Sequence, residues 1–167
     1  MVSDLLLMLP VVVLAVALFL LRVRRKQKYA PEGPPPNAIA VDGSNVMHWG
    51  GEPSAKVLRK VLSALIEGGY EPILFFDANV GYVLDNRYYA PRELARLTGL
   101  PEQHICVVNK GTIADEVILA FSGHHGLRVV SNDQYRDWRV KFPHLAKKGS
   151  MLRGSFNNGA VVWRGKL

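Results

Sequence analysis

The chain has 167 residues, 49% hydrophobic and 21% charged, a balance suited to one globular domain with a real core plus a short extension. Its formal charge of +7 is unevenly spread: Arg22, Arg24, Arg25, Lys26 and Lys28 form one run, while residues 29–167 carry 16 basic and 13 acidic side chains, so the pI of about 9.7 overstates the basicity of the folded part. The single cysteine, Cys106, excludes an internal disulfide and a cysteine-based zinc finger within this sequence.

Leu5 to Leu21 contains no charged or strongly polar residue. A helix over this run is about 26 Å long, close to the hydrocarbon thickness of a bilayer. Pro10 lies in its first turns, where a lost hydrogen bond costs least. A cleaved signal peptide needs a basic n-region, but here Asp4 precedes the apolar run and the positive charge follows it. The expectation is an uncleaved, single-pass transmembrane helix over residues 1–23, with the rest of the chain cytoplasmic by the positive-inside rule. Residues 24–37 form a basic, Pro-rich juxtamembrane linker. Pro31, Gly33, Pro34, Pro35 and Pro36 favour polyproline II, which makes a short, stiff spacer. The folded domain is placed at 38–167.

Within that domain, Ala38–Val41 reads as a buried strand that stops in Asp42-Gly43-Ser44-Asn45. Pro53–Ile66 has apolar residues at helical spacing and ends at Gly68-Gly69. Pro72–Phe76 is a second strand, closing in Asp77. Pro91–Leu97 is a helix opened by proline and stopped before Gly99. Ile105–Val108 is a third strand, Ile113–Phe121 a helix with His124-His125 at its end, and Leu127–Val130 a fourth strand that stops in Ser131-Asn132-Asp133. Tyr135–Val140 reads as a short helix with Asp133 as its cap, which sets Asp133 and Asp137 on one face. Met151–Phe156 and Ala160–Trp163 flank Asn157-Asn158-Gly159, a strong hairpin signal near a sheet edge. Strands alternating with helices imply an α/β fold with a mainly parallel sheet and helices on both faces.

Asp42, Asp77 and Asp133 each follow a strand directly, and Asp115 and Glu116 open the Ile113 helix. Such positions meet in the crevice at the carboxyl edge of a parallel sheet. Clustered carboxylates repel and take up protons unless a cation is present; Mg²⁺, or Mn²⁺, suits an all-oxygen ligand set. Each acid also has a purely structural reading: Thr112–Asp115 fits a capping box, Asp133 an N-cap, Asp42-Gly43 and Asp77-Ala78-Asn79 turns, and Asp137 a partner for Arg136 or Arg139. Ser44 and Asn45 suit either role. Arg136, Arg139, Lys141 and Arg153 follow Asp133 as phosphate contacts. Trp49, Tyr82, Tyr135, Trp138 and Phe142 are candidates to stack on bases, set against packing roles. The five histidines lack zinc-ligand spacing, and Asp42-Gly43-Ser44 has no second carboxylate two residues on, as an aspartyl-phosphate enzyme requires.

Val41-Asp42-Gly43-Ser44-Asn45-Val46, Asp115-Glu116-Val117-Ile118 and Val129-Val130-Ser131-Asn132-Asp133-Gln134-Tyr135-Arg136-Asp137 together resemble the NYN-domain ribonucleases of the PIN-like superfamily, regnase (MCP-induced-protein) type. Gly154-Ser155-Phe156-Asn157-Asn158 is similar to the final strand and turn of that type. The resemblance implies a three-layer α/β/α, Rossmann-like domain over 38–167. It implies a Mg²⁺-dependent endoribonuclease of single-stranded RNA in which Asp42, Asp115 and Asp133 are catalytic and metal-binding, with Ser44, Asn45, Glu116 and Asp137 supporting. The chain departs from the type in lacking a CCCH zinc finger, in its anchor, and in carrying Asp115-Glu116 where the type has two aspartates. The partners expected are RNA, the bilayer through Leu5–Leu21, and a second copy of the chain. The competing expectations are a non-catalytic, membrane-tethered RNA-binding module and a PIN-like nuclease acting on DNA.

Overall fold

The computed structural model describes residues 33–167. The expected anchor over 1–23, and the linker up to residue 32, lie outside the described residues. Among the described residues no helix is long and apolar enough to cross a membrane. The last prolines of the linker turn rather than run straight, because the Ala38 amide donates to Pro35 O at 3.0 Å.

Twelve elements follow: β1 (Ala38–Asp42), α1 (Gly43–Val46), α2 (Ala55–Glu67), β2 (Glu71–Phe76), α3 (Val80–Asp85), α4 (Pro91–Thr98), β3 (Ile105–Val107), α5 (Ala114–His125), β4 (Val129–Val130), β5 (Met151–Leu152), β6 (Gly154–Asn157) and β7 (Ala160–Trp163). Five strands form one parallel sheet in the order β3-β2-β1-β4-β5, and β6 and β7 pair as an antiparallel hairpin. Parallel neighbours force helical crossovers, which cover both faces. The strand period of two then separates two cores. Ile39, Val41, Leu74 and Phe76 pack with α2, α4 and the hairpin; Ala38, Ala40, Ile73 and Phe75 pack with Ile118 and Leu119 of α5. The result is a three-layer α/β/α domain.

Local chemistry explains the helix ends. Ser54 caps α2 by accepting from the Val57 amide, and Leu58, Val61, Leu62 and Leu65 bury one stripe of that helix. Each such side chain contributes about 1.5–3 kcal/mol on burial. Glu93 Oε2 accepts from the Ala90 amide at 3.0 Å, steadying the proline-opened start of α4. Helix α5 runs on past Phe121 to His125 and stops at Gly126, which takes a left-handed φ of 67°.

Three expectations need correction. Tyr135–Val140 is not an α-helix: Tyr135 adopts φ 46°, and only a 3-10 turn, Arg136–Trp138, follows. Asp133 and Asp137 therefore do not share a helix face. Thr112 does not cap α5; Ile113 holds that position without a side-chain bond. Met151–Phe156 is not one strand. It is broken at Arg153, so that β5 extends the main sheet while β6 leaves it for the hairpin. Two short helices, α1 and α3, were not expected, because neither carries two turns of apolar periodicity.

Gly43 sets how closely the first turn of α1 lies on the sheet. A Cβ there would stand 2.4 Å from the Phe76 ring, which is fully buried. Gly43→Ala is expected to destabilise the domain by about 1–3 kcal/mol through overpacking, measured by denaturant unfolding beside an exposed control such as Gly33→Ala.

Candidate active site at the carboxyl edge of the sheet

Strand β1 delivers Asp42 to the carboxyl edge, where it starts α1. Asp42 Oδ1 accepts from the Asn45 amide at 3.0 Å, the bond of an N-cap. Asp42 Oδ2 accepts two further bonds at 2.8 Å, from Ser131 Oγ and from the Tyr135 hydroxyl. The carboxylate is thus both a turn residue and the hub of a site assembled from β1 and from the segment after β4. Those strands are direct neighbours, with Val41 opposite Val130.

Ser131 is fully buried and relays between two acids: its hydroxyl donates to Asp42 and accepts from the Asp133 amide at 3.1 Å. Asp133 Oδ1 in turn accepts from the Tyr135 amide at 2.6 Å, an Asx-type turn that leaves Oδ2 outside that bond. This turn holds Tyr135 in its left-handed conformation and swings the buried ring back so that its hydroxyl reaches Asp42. A bulky residue at positive φ is costly, and it is retained where the surroundings over-determine it.

The two asparagines act as braces. Asn45 Oδ1 accepts from Trp49 Nε1 at 3.0 Å and from the Asn132 amide at 2.9 Å. Asn132 makes a two-bond clasp with Gly154, donating from Nδ2 to its carbonyl at 2.8 Å and accepting from its amide at 3.2 Å. Ser44 Oγ accepts from the Asp77 amide at 3.0 Å, fastening the turn after β2 to α1. Ser131 and Asn132 were not singled out as site residues from sequence; their signal, polar residues directly after a buried strand, is the same as that of a plain turn. Tyr135, a candidate to stack on bases, is instead buried, with its hydroxyl on Asp42.

The charges show which acids converge. Burial is the main cause that raises the Asp115 carboxyl, to about 6, and Asp42, Asp133 and Asp77 then add to it; the Trp138 indole, which offers its N–H to Asp115, opposes the rise. Asp42 is also raised, first by burial and least by Asp77, against its three hydrogen bonds. Asp42, Asp77, Asp115 and Asp133 therefore share one field. Glu116 differs from Asp115: it forms an ion pair with Lys141, whose ammonium also lies 5.7 Å from the Trp138 ring. Asp137 is exposed on the 3-10 turn, and Arg136 Nε bonds to Gln134 at 2.8 Å rather than to Asp137. Arg139 is exposed. Arg153 lies at the exit of β5 on the same edge, and its Nε is buried without a hydrogen-bond partner among the described residues. Trp49 and Phe142 are buried, with Trp49 edge-on to Trp163 at 5.8 Å, so they pack rather than offer faces to a ligand. Among the described residues, no three acidic, histidine or cysteine side chains are grouped so as to hold a metal ion.

Two measurements test this geometry. Asp115 holds its proton to about pH 6 in the folded state, against the ordinary aspartate value of about 3.9 in the unfolded one. Between those pH values the folded state binds more protons, so this group makes stability fall as pH rises through the window. In chelator, Asp115→Asn is expected to match the unmodified chain near pH 4 and to exceed it above pH 6 by about 1 kcal/mol, allowing for solvent screening. Tyr135→Phe removes a donor from a buried carboxylate and is expected to cost about 1–3 kcal/mol in denaturant unfolding.

The family model described as the Zc3h12a-like ribonuclease NYN domain matches residues 36–162. No curated protein matches the chain. Among solved structures, nuclear proteinaceous RNase P 2 (PRORP2) from A. thaliana is similar at a TM-score of 0.61 and 18% identity, over 77% of this chain and 29% of that one. A second structure, the Arabidopsis thaliana nuclear protein-only RNase P 2 (PRORP2), is similar at a TM-score of 0.60 and 16% identity, over 91% of this chain and 34% of that one. The chain spans about a third of the length of these proteins, and at such identity the likeness establishes the fold. With a family match extending over most of its length, the chain belongs to the Zc3h12a-like ribonuclease NYN domain family.

Proposed function

We propose that the chain is a metal-dependent endoribonuclease that hydrolyses phosphodiester bonds of single-stranded RNA, held at a membrane by residues 1–23. The observation that carries the reading is the bonded turn that ties Asp133 to Asp42 through Ser131 and Tyr135 at the carboxyl edge, where burial first, and then Asp42, Asp133 and Asp77, raises the Asp115 carboxyl to about 6. Such a cluster is costly in an apo protein, and a hard divalent cation relieves it. The donor chemistry suits Mg²⁺ or Mn²⁺, because it is all oxygen and hard cations prefer oxygen ligands.

Asp42, Asp115 and Asp133 are the residues that would hold the ion. When bound, it supplies a water acidified toward hydroxide and a positive charge against the phosphate oxygens. The chain's own residues do the rest. Ser131 and Tyr135 hold Asp42 in one rotamer through two bonds to Oδ2, leaving Oδ1 with only the Asn45 amide. Asn45 and Asn132 lock α1, the turn after β4 and β6 together, so the acids keep their spacing. Asp115 is assigned to the ion over Glu116 because it feels Asp42, Asp133 and Asp77, whereas Glu116 is paired with Lys141. Arg153, whose Nε lacks a hydrogen-bond partner among the described residues, and the exposed Arg136 and Arg139 are the cations assigned in this reading to phosphates of the entering strand. The membrane tether rests on the uncharged run Leu5–Leu21 and the cations after it. It is tested by whether the chain stays with membranes at alkaline pH and is released once residues 1–23 are deleted.

A second reading, a non-catalytic RNA-binding module, is favoured by one observation, the absence of a preformed three-ligand cage among the described residues. One assay separates the two. The full chain is incubated with labelled single-stranded RNA in Mg²⁺, Mn²⁺ or chelator, beside Asp42→Asn, Asp115→Asn, Asp133→Asn and Glu116→Gln. Expected are cleavage only with metal, a loss of at least about a hundredfold for each aspartate variant, and near-normal activity for Glu116→Gln. Cleavage surviving all three aspartate variants overturns the site, and binding without cleavage in either metal favours the module. Single-stranded DNA in a parallel lane decides between RNA and DNA.

A further inference from the structure

Aromatic residues of the domain divide by exposure. Trp49, Tyr89, Tyr135 and Phe142 are buried, whereas Tyr82 is 56% and Tyr88 65% exposed. Single exposed apolar groups need no explanation, but these two, with exposed Val83, belong to the one segment that follows Asp77. Helix α3, which carries Tyr82, starts three residues after Asp77, and the Val80 amide donates to Asp77 O at 3.1 Å. Asp77 in turn is tied to Ser44 and feels Asp42 and Asp115.

The chain then doubles back. Asn86 ends α3 at a left-handed φ of 50°, and residues 87–89 recross its first turn at Gly81, where a Cβ would stand 2.3 Å from Arg87 O and 2.6 Å from Tyr89 N. Tyr88 is thereby returned to the end of α3 nearest Asp77. The loop is pinned beneath: the Tyr89 hydroxyl donates to Asp85 at 2.9 Å, Arg87 donates to that hydroxyl at 3.1 Å, and Arg87 pairs with Asp85 at 2.8 Å. The nearby charges are satisfied by one another, and the two outer rings remain as a neutral face. On the neighbouring strand, the loop after β3 adds exposed Lys110 and Ile113 at the same edge.

We propose that Tyr82 and Tyr88 form a stacking platform for unpaired nucleobases, on the β2–β3 side of the acids and opposite the cations of the β4–β5 side. This rests on RNA as the substrate and deepens that reading. Stacking tolerates any base but requires a free base face, which paired bases do not present, so the platform selects single strands. An RNA strand crossing the edge would set its phosphates against Arg136, Arg139 and Arg153 and its bases, beyond the acids, against the tyrosines.

The test is binding of the full chain, in detergent and chelator so that no strand is cut, to labelled single-stranded RNA, the same RNA with abasic sites, and duplex RNA. Tyr82→Ala and Tyr88→Ala are each expected to weaken single-strand binding about tenfold, with Tyr82→Trp and Tyr88→Trp near the unmodified chain. Abasic and duplex RNA should bind the unmodified chain and the alanine variants alike. Circular dichroism identifies any alanine variant that unfolds, and the tryptophan variants then carry the comparison, with unchanged or tighter binding expected. Equal losses on intact and abasic RNA would overturn the platform, as would intact affinity in both alanine variants. So would loss of self-association with RNA affinity unchanged, which assigns the face to a second copy. Tyrosine-dependent binding with no cleavage in Mg²⁺ or Mn²⁺ leaves the platform standing and removes only the catalytic reading.

Discussion

The site depends on one enclosed carboxylate. Asp42 is drawn out of water at the end of the central strand, and an ion there is tolerable only because a backbone amide and two hydroxyls are aimed at it. Those donors come from two places far apart in the chain, the first turn of α1 and the segment after β4. The interaction therefore does two jobs at once. It satisfies a buried charge, and it fastens the turn that carries Asp133 to the strand that carries Asp42.

The braces around that hub make the edge rigid in a way that a set of surface acids would not be. Asn45 spends its carbonyl oxygen on two donors from different elements, and Asn132 clasps Gly154 across to the hairpin. Gly154 has no room for a side chain, since a Cβ would stand 2.5 Å from the Trp49 ring that Asn45 also holds. A small polar network thus links α1, the turn after β4 and β6. The acids themselves stay poorly neutralised, and the Asp115 carboxyl is raised first by burial and then by its acidic neighbours. Local rules are broken at Tyr135, with its positive φ, at the same point where the charges are least compensated, and functional sites are where such breaks are expected.

Much of the fold was legible because its signals are local. The stripe Val57, Leu58, Val61, Leu62, Leu65 could only be a helix face, and the short apolar runs ending in Asp42, Asp77 and Ser131-Asn132-Asp133 could only be buried strands running to a polar edge. The misread places are those where local signals compete. Tyr135–Val140 has helix-compatible residues, yet the Asp133 turn and the pull of Asp42 on the Tyr135 hydroxyl outweigh that weak propensity. Met151–Phe156 alternates well, but Gly154 must pass under Trp49 while Leu152 stays in the main sheet, and the strand breaks between them. Asp115 and Glu116 are indistinguishable in sequence; the position of Lys141 separates them.

The sequence by itself determined that this is a parallel α/β domain with acids at the ends of its strands, because strand runs, helix stripes and turn residues are each written within a few neighbouring positions. It also marked an apolar run, a basic cluster and a proline-rich joint ahead of that domain. Only the tertiary structure decided that β4 lies beside β1, that Ser131 and Tyr135 close on Asp42, that Asp77 belongs with the other acids, and that Tyr82 and Tyr88 are left exposed. The reason is that strand order and side-chain convergence are settled by contacts between distant segments. Their energies depend on the whole packed sheet, and no short window of sequence carries them.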